Sequence, residues 1–197
     1  MQQQRQALRR LQCRLERYYE LESGPDINDF IHLADDGARE TLLVRQSADA
    51  LEIALVLPRA TALDVGLAHP EADTWLQLVE GVSHFVYVVE RARMRLPATQ
   101  LELELQAEVD KFVLLALSDS VLERGHARSV HDWLYEHVRF LHPENTEAGQ
   151  RYRLANGLAA RFVARLVEHR GPAVMREELR RFYRSGQADK IRLAQAA

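Results

Sequence analysis

Apolar residues recur every three or four positions over most of the chain and alternate over one short stretch, which predicts helices around a small sheet. Over residues 4–22, Leu8, Leu11, Leu15 and Tyr18 form a narrow apolar stripe on an otherwise basic helix, with Gly24-Pro25 as its stop. Residues 26–37 carry Ile27, Phe30, Ile31 and Leu33 and read as a short helix closed by Asp35-Asp36-Gly37. Thr41 to Gln46 and Leu51 to Leu57 read as strands. In the second, Leu51, Ile53, Leu55 and Leu57 point to one face and Glu52 to the other. Ser47-Ala48-Asp49-Ala50 supplies a hairpin loop, and Pro58 stops the ladder. Two strands alone are marginal in water, so helices must cover them.

From residue 70 onward the pattern is helical throughout. Pro70 opens a helix with Glu71 and Asp73 in its first turn and Arg91, Arg93 and Arg95 in its last, before Pro97. Acids first and cations last suit the helix dipole. Thr99 with Glu102, Ser120 with Glu123, and Ser129 with Asp132 have capping-box spacing, and Pro143 ends the third of these helices. A long helix is predicted over 146–170, stopped by Gly171-Pro172, and a shorter one over 173–185, closed by Gly186. The fold class that follows is α+β, mostly α: a bundle of five to seven helices with one small β-hairpin at about 41–57. It is read as a single domain over 1–197, made of a basic helix (1–22), the hairpin (38–58) and the bundle (70–190).

Composition narrows the class further. A chain of 197 residues can bury about 70 % of its unfolded surface, so it needs no staple or metal to build a core. Cys13 is the one cysteine, which excludes a disulfide within the chain and points to the cytoplasm. No apolar run reaches the roughly 18 residues of a membrane span, and the start lacks the apolar core of a secretory signal. Of the 26 basic residues only Lys111 and Lys190 are lysine, a bias read as codon usage in a GC-rich, bacterial genome. The net charge of −3 is segregated: +4 over 1–19, −12 over 20–110, −2 over 111–150 and +7 over 151–197. Basic ends and an acidic middle can pair within the fold, across a subunit interface, or with an acidic partner.

Much chemistry is excluded by motif. The chain has no GxGxxG, no GxxxxGK[ST], no HExxH and no GxSxG. Ser83 and His84 are adjacent, hence about 100° apart on a helix, and cannot act as nucleophile and base on one another. His126, His131, His137 and His142 cannot share a metal: on one helix His131 and His142 stand about 16 Å apart along the axis. Glu123 and His126 have the spacing of one half of a di-iron motif, but no second copy exists.

Two helices carry polar residues where apolar ones are expected. Residues 76–90 are apolar on nearly all sides, yet Glu80 and His84 interrupt them at i and i+4, on a face shared with Gln77, Tyr87 and Arg91. Gly81 in this helix costs about 1 kcal/mol relative to Ala, which implies that another backbone approaches closely there. In the next helix Glu108 falls on the stripe of Leu101, Leu105, Phe112 and Leu115, with Asp110 nearby. A turn at Pro97 that folded the two helices antiparallel would set His84 near Asp110 and within reach of Glu108.

Buried carboxylates must be paired, protonated or ligating. Glu80, His84, Glu108 and Asp110 are therefore the catalytic candidates, and Glu80, His84 and Glu108 the metal candidates. The plainer reading is a satisfied polar network in which Arg153 or Arg161 neutralises the acids. No cofactor is predicted, and a divalent metal is the one these residues would accept. The leading functional reading is a non-catalytic interaction or scaffolding protein that self-associates or binds a protein partner. The alternative is an enzyme with a carboxylate–histidine centre. A nucleic-acid regulator is weaker: Arg176, Arg180, Arg181 and Arg184 interleave with Phe182 and Tyr183, but Glu177 and Glu178 share the helix.

Overall fold

The computed structural model describes residues 2–34, 39–46, 51–58, 72–117, 124–169 and 171–196. Over these the chain runs α1 (Gln2–Tyr19), a 3-10 turn (Ile27–Asp29), β1 (Ile31–Ala34), β2 (Thr41–Gln46), β3 (Leu51–Pro58), α2 (Ala72–Arg93), α3 (Gln100–Ala116), α4 (Arg124–Tyr135), α5 (Glu147–His169), α6 (Pro172–Arg184) and α7 (Gln187–Gln195). The fold is mostly helical with a small β part. The stop at Asp35-Asp36-Gly37, the loop at 47–50, the opening at Pro70-Glu71 and the box at Ser120–Glu123 lie outside the described residues. The described residues divide into two compact units, Met1–Pro97 and Ala98–Ala197, and α2 packs on the sheet within the first.

In the first unit the expected hairpin gains a third strand. The order is β1-β3-β2, with β2 antiparallel to β3 (Leu43 opposite Ala54, Arg45 opposite Glu52) and β1 parallel to it (Ile31 opposite Leu55). The short helix expected over 26–37 is thus one 3-10 turn followed by β1. Leu55 and Leu57 are fully buried on the face that packs against α2. Gly81 of α2 makes that approach feasible, but what comes close is side chains and not the expected backbone: a Cβ there would meet Leu57 Cδ2 at 2.6 Å and Glu40 Cγ at 3.1 Å. Helix α1 lies on α2 through Leu8, Leu11, Leu15 and Tyr19, so Tyr19 completes the stripe in place of Tyr18.

Both helices stop before the proline signals. Glu20 (φ 54°) and Arg95 (φ 55°) adopt the left-handed conformation just past the last turn. Leu21 N donates to Glu16 O (2.8 Å) and Leu96 N to Arg91 O (2.8 Å), the long bonds of a Schellman cap. That position usually holds glycine, so neither cap is announced by its residue.

In the second unit α3 is buried on most sides and packs on α4, α5 and α7. Its capping box is complete: Glu102 N donates to Thr99 Oγ1 (3.2 Å) and Thr99 N to Glu102 Oε2 (2.8 Å). This local signal decides for helix against the strand-like alternation of residues 101–105. The helix expected to start at Ser129 does not exist. Ser129 sits inside α4 and donates back to Gly125 O (3.1 Å), and α4 ends at Tyr135, well short of Pro143. The core is filled by Leu105, Phe112, Leu158, Leu166, Leu179 and the stacked pair Phe162 and Phe182, whose centroids are 4.2 Å apart.

Candidate functional site

Glu80 and His84 belong to the first unit, Glu108 and Asp110 to the second. On α2 the polar face is buried as its spacing implied: Gln77, His84 and Arg91 are all buried. The partner of His84 is a residue the periodicity does not mark. Glu40, just before β2, places Oε1 3.2 Å from His84 Nδ1, and both side chains are nearly inaccessible to water. Glu40 is tied down further by its backbone N–H, which donates to Gln77 Oε1 (3.3 Å), while Gln77 Nε2 donates to Asp73 Oδ2 (2.9 Å). Glu80, one turn before His84, brings a carboxylate oxygen within 4.8 Å of an imidazole nitrogen.

The acids of α3 have different surroundings. Lys111 Nζ donates to Glu108 Oε1 (2.7 Å), Asn156 Nδ2 donates to Glu108 Oε2 (3.2 Å), and the Tyr135 hydroxyl donates to the Glu108 carbonyl (2.9 Å). The cation beside Glu108 is therefore Lys111 and not Arg153, which donates to the carbonyls of His142 and Gly149, nor Arg161, which is exposed. Asp110 is the deeper of the two acids, with no exposed surface. Gln106 Nε2 donates to its Oδ1 (2.8 Å), and Gln106 Oε1 receives Lys190 Nζ (2.5 Å). Lys190, also fully buried, donates to Phe182 O (2.8 Å) and lies 4.3 Å from the centroid of that ring. Burial first, then the charges of Glu108 and Asp110, pushes the Tyr135 hydroxyl well above its ordinary pKa. Glu108, Asp110, Gln106, Lys111 and Lys190 thus each hold a hydrogen-bond partner within the second unit. One sequence signal points to it: among 26 basic residues, only Lys111 and Lys190 escape the arginine bias, and both are buried.

The remaining candidates separate. His131 lies on α4, bridging Asp132 Oδ1 (3.0 Å) and Ala160 O (3.1 Å). His126 is exposed beside Leu115 O, while His142 lies beyond the end of α4 and stacks on Tyr152. Glu123 lies outside the described residues. On α6 the two aromatics that a nucleic-acid surface would use for stacking, Phe182 and Tyr183, are buried. No helix among the described residues is long and apolar enough to cross a membrane. The chain shows no significant match to a protein-family model, to a curated protein or to a solved structure.

Proposed function

We propose that the protein is a non-catalytic interaction protein that pairs with a second copy of itself through the outer edge of β2. The observation that carries this reading is the composition of that edge. Among the described residues only β3 pairs with β2, and Leu43 and Val44 are 56 % and 44 % exposed. Edge strands are ordinarily blunted by charge, proline or bulges. Here the single charge, Arg45, is engaged by Glu52 on β3, its Nε lying 2.9 Å from Oε2. An antiparallel second copy centred between Leu43 and Val44 sets each of these residues against the other and opposes no like charges. A cytoplasmic setting, consistent with the lone Cys13, completes the reading.

The test is analytical ultracentrifugation across a wide concentration range, with Leu43→Lys/Val44→Lys as the comparison. The expected result is a concentration-dependent dimer that the double variant converts to a 22.6 kDa monomer without loss of melting temperature. A parent chain that sediments as a monomer at every concentration excludes the proposal.

A further inference from the structure

We propose that the outward face of α5, in the second unit, docks on the same face of a second copy with the two helices antiparallel. This contact does not rest on strand pairing at β2. Glu147, Gln150, Leu154, Gly157 and Arg161 recur at alternating spacings of three and four, which puts them on one side of α5. Leu154 is 46 % exposed, the Glu147 side chain 94 %, and Gln150 and Arg161 are exposed as well. Gly157 is a hollow in this stripe. A Cβ there would meet nothing within 4 Å, whereas Gly81 and Gly149 are each held to glycine by a close neighbour. A glycine in the middle of a helix costs stability relative to alanine, and among the described residues no contact within the chain requires it.

A two-fold axis supplies the missing neighbour and fixes the register. Across an antiparallel helix seam each residue faces one from the alternate row of the other helix. Leu154 of one copy then sits over Gly157 of the other, and the symmetry repeats the contact. The same register sets Arg161 opposite Gln150 of the second copy and one turn from its Glu147. Glu147 lies 3.7 Å from Arg151 on its own helix, and its exposed carboxylate can take this second cation. The two copies of Arg161 are offset by about 16 Å along the axis, so like charges do not meet. The face is complementary to itself in both shape and charge, which selects a second copy as its occupant.

One helix pair belongs with small, transient interfaces, under about 1,200 Å² in total, so covalent trapping detects it where sedimentation does not. The test mixes two full-length variants, Leu154→Cys and Gly157→Cys, one of them carrying a size tag, under oxidation by copper–phenanthroline. Both stand in a Cys13→Ser/Leu43→Lys/Val44→Lys background, which removes the native thiol and β2 pairing, so failure at either interface is seen separately. A disulfide needs Cα atoms within about 7 Å, so the mixed product reports this register. The expected result is mixed disulfide in excess over both like pairs. It should form about tenfold faster than when Arg176→Cys, at an exposed position of α6, replaces Leu154→Cys. Arg161→Glu in both copies should slow trapping about two- to fivefold, the range of exposed ion pairs, and adding Glu147→Arg should restore it. Leu154 is partly exposed and Gly157 has open space beside it, so the variants fold, which circular dichroism melts verify. Trapping no faster than in the Arg176→Cys control, or unmoved by the charge exchange, overturns the proposal.

Discussion

At the scale of single residues, burial of polar groups is the dominant feature, and Lys190 is its clearest case. Its ammonium is fully buried, bonded to Gln106 Oε1 and Phe182 O, and set against the Phe182 ring. A guanidinium is planar and wider and has no compact way to fill the same niche. Lys190→Arg is therefore expected to destabilise the protein by about 1 to 3 kcal/mol through overpacking, although the charge is conserved and arginine is the chain's usual base. A denaturant melt measures this; a change below about 0.5 kcal/mol, the usual range for surface substitutions, would show that the niche is not restrictive. Residue patterns reveal such polar groups unevenly. His84 and Asp110 stand out because they interrupt apolar helices, but Glu40 follows a loop and precedes a strand, where acidic residues are ordinary. Only the 44-residue separation closed by the fold joins it to His84.

Among the elements, periodicity over several turns was enough to locate α2, α3, α5 and α6 within a few residues, because each buries a face repeatedly. Strand β1 escapes the pattern for the converse reason. Four residues give Ile31 and Leu33 a single alternation, and their partner is the non-consecutive β3, with β2 lying between them in sequence. Helices α1 and α2 end before the proline signals because their stops are left-handed residues that are not glycine. Such a residue costs about 1 to 2 kcal/mol of backbone strain, which glycine relieves. Arg95 is exposed and its φ is 55°, so Arg95→Gly is expected to raise stability by up to about 1 kcal/mol. Thermal melts of the parent and the variant measure it. A loss of stability would mean that the arginine side chain contributes more than its backbone costs.

At the scale of the whole chain, the segregation of charge along the sequence largely cancels within each unit. Residues 1–97 carry a net −4 and residues 98–197 a net +1. The basic helix α1 meets acidic partners inside its own unit, as in Arg9 with Asp26 at 3.5 Å, and the basic C-terminal region does so in the other, as in Arg165 with Glu178 at 3.9 Å. These contacts favour pairing within the fold over presentation of a basic face. The magnitudes then decide which force holds α1. Partly exposed ion pairs contribute about 0 to 1 kcal/mol each, whereas Leu8, Leu11, Leu15 and Tyr19 are buried and contribute about 1.5 to 3 kcal/mol apiece. Together the four approach the 5 to 15 kcal/mol that separates folded from unfolded domains. Raising the salt concentration should therefore shift the melting temperature little, because salt screens only the smaller term. Deleting residues 1–22 should instead unfold the first unit, seen as loss of tertiary circular dichroism and of protease resistance over residues 23–97. A truncated chain that melts like the parent, or a parent that melts markedly lower in high salt, would show that charge and not the apolar stripe holds the helix in place.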